Sequence, residues 1–195
     1  MISGAKALLL IACWVAGAAA AADSPGWDIK RLMRDLGEVK SAKGRFIERK
    51  YVGILTEPLE FSGTLLYVAP DRLEKHTLKP RSESLLLERD QLIIESKNPD
   101  RRRALKLSNY PVVQVFVESV RSTLAGDLAL LNRFYEVALQ GDERSWRLLL
   151  KPNDPKMQEV MSEIRIGGHG NWINAIEFLE PGGDRSVMSI TRDEP

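Results

Sequence analysis

Short alternations of apolar and polar residues, repeated at close intervals on both sides of one helical stretch, constrain this chain more than any other feature. A strand turns successive side chains to opposite faces. On that rule Phe46 to Tyr51, Gly63 to Val68, Arg72 to Leu78, Ser84 to Glu88 and Leu92 to Ser96 each read as a strand. Between them stand the loop Gly53 to Ser62 with Pro58, then Pro70-Asp71, then Arg89-Asp90-Gln91. Tyr135 to Gln140, Ser145 to Leu150, Val160 to Ile166, Trp172 to Glu180 and Asp184 to Thr191 continue the series, with glycine-rich turns at Gly141, Gly167 to Asn171 and Pro181 to Gly183. Connections this short join only antiparallel neighbours, because a parallel pair needs a crossover of a dozen residues or more.

Helical spacing interrupts the strands twice. Ser24-Pro25 reads as a cap and first helical residue before Ile29, Leu32, Met33 and Leu36. Pro111 to Ala125 carries Val113, Phe116, Val117, Val120 and Leu124 on one side and Gln114, Glu118, Arg121 and Ser122 on the other. Its valines leave a strand from Val112 to Val117 as the alternative, although the apolar stripe outlasts a typical strand. Gly126-Asp127 ends this helix and caps another, Leu128 to Phe134. The sum is an α+β fold: an incomplete, strongly bent antiparallel half-barrel with helices covering its concave side.

The first residues read as an export signal. Lys6 supplies a basic start, Ala7 to Ala16 an apolar segment, and Ala20-Ala21-Ala22 the small residues that precede cleavage, so residues 1–22 are a signal peptide and 23–195 one domain. Two alternatives stand beside this: an uncleaved anchor, and a lipidated Cys13 after Leu10-Ile11-Ala12. Cleavage after Ala22 places the rest in the periplasm, soluble. It removes the single cysteine, which excludes a disulfide framework and a thiol nucleophile. Charges of the two signs then balance at 27 each, which gives no basis for nucleic acid as a partner.

Motifs of chemistry are missing from the sequence. There is no G-x-S-x-G, H-E-x-x-H, Walker or Rossmann glycine pattern. His76 is expected at the surface of a strand beside Glu74, and His169 in a turn. Asp184 and Glu177 suggest surface pairing with Arg185, and Arg101-Arg102-Arg103 a solvated turn. No catalytic residue, metal ligand or cofactor is expected. Phe46, Leu65, Tyr67, Trp146, Leu148, Ile176 and Phe178 can form a packed core or line a space between sheet and helices.

The order of motifs supplies a further reading. Phe46-Ile47-Glu48-Arg49-Lys50, Pro58-Leu59, Ser62-Gly63-Thr64-Leu65-Leu66-Tyr67, Pro70-Asp71-Arg72-Leu73 and Pro80 before Ser84-Leu85-Leu86 resemble the periplasmic LolA-like outer-membrane lipoprotein carriers. Trp146 to Pro152, the hairpin Gly167 to Ile176, and Gly183 to Ser186 are similar to the family's last strands. The resemblance implies a lidded hydrophobic cavity that carries lipoprotein acyl chains as a monomer, between an inner-membrane donor complex and an outer-membrane acceptor. Residues assigned to cavity and lid on this basis are Phe46, Leu65, Tyr67, Leu73, Leu85, Leu87, Val113, Phe116, Val117, Val120, Leu124, Trp146, Leu148, Ile176 and Phe178. Two positions depart from the family, which favours Gln at Glu48 and, at Ala69, an Arg that ties barrel to lid. A carrier of another lipid or lipophilic product, or a sensor on the same half-barrel, therefore stays open.

Overall fold

Asp28 begins the first helix, α1 (Ile29–Gly37), by accepting from the Arg31 amide at 2.8 Å. The computed structural model describes residues 26–96 and 102–193. Ser24-Pro25, expected as the cap, lie outside them, as do Cys13 and the whole leader. Leu32, Met33 and Leu36 fall on one face of α1 and are buried, each contributing about 2 kcal/mol by leaving water.

Six strands follow: β1 (Ser41–Tyr51), β2 (Leu59–Val68), β3 (Arg72–Lys79), β4 (Glu83–Glu88), β5 (Gln91–Ser96) and β6 (Arg103–Lys106). After a 3-10 turn at Leu107–Asn109 come two helices, α2 (Pro111–Ala125) and α3 (Leu128–Phe134). The chain then returns through β7 (Tyr135–Asp142), β8 (Ser145–Pro152), a short α4 (Pro155–Gln158), β9 (Glu163–His169), β10 (Trp172–Leu179) and β11 (Arg185–Arg192). The valine-rich segment is thus a helix, with Gly126 closing it in a left-handed conformation.

All eleven strands form one antiparallel sheet in the order β6-β5-β4-β3-β2-β1-β11-β10-β9-β8-β7. The first and last strands of the sequence meet at its centre, with Phe46 opposite both Gly63 and Ile190. Among the described residues that arrangement leaves β6 and β7 as unjoined edges, so the barrel is incomplete. A register shift between Ser62 and Gly63 breaks the β2–β3 pairing, a device that bends a sheet. Only glycine fits there, since a Cβ would stand 1.9 Å from the His76 carbonyl oxygen.

Strand boundaries differ from the sequence reading by more than two residues in four places, the first being β1, which starts at Ser41 rather than Phe46. Strand β2 starts at Leu59, inside the segment assigned to a loop. Glu163–His169 replaces Val160 to Ile166, because Pro155–Gln158 forms a helical turn capped by Asp154. Arg103 begins β6 instead of ending a basic turn, while Arg102 pairs with Glu95 at 3.1 Å.

Side-chain alternation divides the trough. Trp146, Leu148, Leu150, Ile164 and Ile166 from β8 and β9 pack with Trp27, Leu32, Met33 and Leu36, so α1 fills the limb made by the last strands. Among the described residues no such filling covers the concave face of β2 to β5.

Candidate functional site

A cavity of about 540 Å³ occupies the unfilled half of the trough. The size lies within the range of small-molecule sites. Strands β2 to β5 contribute Leu65, Tyr67, Leu73, Leu85, Leu87 and Leu92; the far wall is Ile173, Ile176, Phe178, Met188 and Ile190. Helix α2 forms the roof with Phe116, Val117, Val120 and Leu124.

The orientation of α2 follows from its small polar residues. Ser119 donates to the Phe116 carbonyl at 2.6 Å and Thr123 to the Ser119 carbonyl at 2.6 Å. With their hydroxyls satisfied inside the helix, both side chains are fully buried. Ser122 and Glu118, on the side opposite the apolar stripe as the sequence placed them, are buried too. The apolar stripe consequently looks into the cavity rather than into a closed core, and Phe116 keeps 36% of its surface exposed.

Contacts hold the roof to both limbs. The rings of Phe116 and Phe178 lie 4.3 Å apart at 32° on the β10 side. On the opposite rim Arg121 pairs with Glu118 and donates to the Arg89 carbonyl at 2.6 Å, in the β4–β5 turn. Tyr135 of β7 donates to the Val115 carbonyl at 2.8 Å; burial foremost, with the Glu118 charge, pushes its phenol well above the ordinary tyrosine range.

Charged side chains interrupt the apolar wall, and Glu48 is the most deeply buried of them. The Glu48 carboxylate, 5% exposed, accepts from Lys75 on one oxygen and from Ser186 Oγ at 2.7 Å on the other, with Lys50 Nζ 3.7 Å away. Burial raises its pKa, but the Lys75 charge and hydrogen bond, then Ser186 and Lys50, outweigh that and hold it below the usual carboxylate value of 4.5. Lys75 also lies 4.9 Å from the Phe46 ring centroid. Sequence reading singled out Glu48 only as a departure from a family pattern; no local signal revealed its partners on β3 and β11.

Of the fifteen residues assigned from sequence to cavity and lid, the structure brings Leu65, Tyr67, Leu73, Leu85, Leu87, Phe116, Val117, Val120, Leu124, Ile176 and Phe178 around the cavity. Phe46, Trp146 and Leu148 instead belong to the close-packed core, the last two because α1 occupies their half of the trough. Val113 lies one turn before Phe116, where the roof has not yet reached the cavity, and is half-buried. Met188, Ile190, Ile173 and Leu92 were missed, although alternation in Val187-Met188-Ser189-Ile190 marks two of them.

Other polar residues have partners of their own. His76 sits with Glu74 and Ser84 at 2.8 and 3.0 Å on the convex face, and is 42% exposed. Glu177 pairs with Arg165 at 3.3 Å, while Asp184 accepts from the Gly53 amide at 2.8 Å and Arg185 stacks on Tyr51. The expected pairing of the first two with Arg185 is thereby replaced. Among the described residues no cluster of three or more His, Cys, Asp or Glu could hold a metal, and no helix is long and apolar enough to cross a membrane.

Comparison with known proteins agrees with this architecture. The family described as outer membrane lipoprotein carrier protein LolA-like matches residues 16–189. No curated protein sequence matches the chain. Among solved structures, a LolA superfamily protein from Nitrosomonas europaea is 12% identical, with 87% of this chain and 96% of that one covered and a TM-score of 0.42. A chain of the Pseudomonas aeruginosa MucA/MucB complex is 14% identical with a TM-score of 0.50; the match covers 85% of this chain and 56% of that one. At these identities the likeness is one of fold.

Proposed function

The chain belongs to the outer membrane lipoprotein carrier protein LolA-like family, and from that premise we propose that it is a periplasmic carrier which shelters acyl chains of a lipoprotein or another lipid beneath α2. The observation that carries the reading is the roof: an apolar helix face turned toward a cavity while its polar face is buried. Each methylene held out of water is worth about 0.8 kcal/mol, so a chain inside the trough gains most of its affinity from contact with the leucines of β2 to β5. The walls are sheet and stay in place; entry requires the roof to release Phe178 and Arg89 and swing on its connections. In this reading the protein is a binding protein, exported by the leader at residues 1–22, and it meets a donor and an acceptor at the membranes.

Titration with an uncharged environment-sensitive dye, N-phenyl-naphthylamine, tests the proposal. Saturable binding at one dye per delipidated chain, reversed by an acyl lipid, is the expected result. An absence of saturable binding would remove the carrier reading.

A further inference from the structure

We propose that the wall around Glu48 is a head-group site selecting amphiphiles with an anionic, oxygen-rich head, a carboxylate or a phosphate monoester. The inference rests on the carrier reading and names the class of cargo.

Glu48 sits among the leucines and aromatics of the cavity, yet both carboxylate oxygens are already occupied by Ser186 and Lys75. Two ammonium groups, Lys75 and Lys50, face this one carboxylate and carry more donors than it can accept. An ammonium has three donors. Among the described residues Glu48 is the sole hydrogen-bond acceptor of Lys75, and Lys50 approaches Glu48 only at 3.7 Å. The remaining donors line the cavity, where low polarity strengthens a charge-assisted hydrogen bond.

The neighbouring acids do not take up these donors. Of the other acids that line the cavity, Glu74 pairs with Arg72 and His76, Asp184 accepts from the Gly53 amide, and none of Glu74, Glu180 and Asp184 forms an ion pair with either lysine among the described residues. Phe46 and Phe61 beneath the two ammonium groups, at 4.9 and 5.3 Å, orient them without supplying a charge. An uncharged glyceride head would leave these donors unpaired, whereas a carboxylate or phosphate satisfies them while its chain lies against the leucines.

Displacement of bound N-phenyl-naphthylamine by competitors of equal chain length tests the site. Dodecanoate and dodecyl phosphate are expected to displace the dye at concentrations about tenfold lower than monododecanoylglycerol, and their ratio to one another tells carboxylate from phosphate. Lys50→Met, at a side chain 47% exposed, should shrink the preference for both anions with little change for the glyceride. Glu48→Gln should widen it, because both lysines lose their competing carboxylate; a merely structural carboxylate would weaken all three competitors alike. Equal displacement by charged and uncharged competitors overturns the head-group site while leaving the carrier reading intact. A protein that binds neither dye nor any competitor overturns both.

Discussion

Nη1 of Arg121, on the roof helix, donates to the Arg89 carbonyl oxygen at 2.6 Å, on the opposite rim of the trough. Arg89 holds a left-handed backbone, with φ at 53°, uncommon for a residue other than glycine. The same guanidinium pairs with the buried Glu118. Where the family resemblance leads one to expect an arginine before Pro70 tying barrel to lid, this chain has Ala69, and the tie runs from the lid outward.

Arg121→Met therefore has two separable effects. It strands the Glu118 carboxylate in a buried site, at a cost of about 3 kcal/mol in urea unfolding. Adding Glu118→Gln should recover much of that loss, since no charge is then left unpaired. Both variants lack the latch, so both should release bound dye several-fold faster than wild type in stopped-flow exchange.

Stability should report the Glu48 ion pair through pH. Its folded pKa lies below the unfolded value, so the pair stabilises fully above about pH 4.5 and this contribution fades as pH falls through the folded pKa. Glu48→Gln is expected to be less stable than wild type at pH 7 by on the order of 2 kcal/mol, with the gap closing as pH falls below 4.5. A gap that stays constant to pH 3 would show that Glu48 is not held as a paired carboxylate.

Two glycines provide a matched test of how the roof is seated. Gly126 and Gly170 both have positive φ, 70° and 49°, and a Cβ at Gly170 would meet nothing within 4 Å. At Gly126 it would stand 2.0 Å from the Met33 carbonyl oxygen, where the ends of α1 and α2 cross. Gly170→Ala should cost about 1 kcal/mol, from backbone strain alone. Gly126→Ala should cost about 3 kcal/mol or more in the same unfolding assay, because the close approach adds to the strain.

Much of the fold was legible because strands write their burial locally. The period-two pattern through Trp146, Leu148 and Leu150 or through Met188 and Ile190 requires no knowledge of partners, and short turns left only antiparallel pairing. The site was legible less completely, for reasons that are themselves physical. Trp146 and Leu148 carry the same inward pattern as Leu65 and Leu85, and what separates core from cavity is that α1 lies over one limb and not the other. That choice is tertiary. The burial of Glu118 and Ser122 was likewise hidden, since polar residues on a helix ordinarily face water and only the hydrogen bonds of Ser119 and Thr123 show how this face tolerates its environment. Glu48 could be noticed in β1, but Lys75 and Ser186 stand 27 and 138 residues away in sequence.

The central claim is that the space beneath α2 holds an acyl chain, and native mass spectrometry of protein released gently from the cells that make it addresses it most directly. Wild type should carry an acyl-bearing molecule at one per chain. Val120→Asp, at a half-buried roof position, should remain folded and lose the adduct, since a carboxylate facing the open cavity can stay hydrated but spoils the apolar surface. Leu148→Asp, in the fully buried core, should fail to fold and serves as the contrast. A wild-type protein that shows only its bare mass and takes up no lipid on incubation, or an adduct that survives Val120→Asp undiminished, would contradict the account.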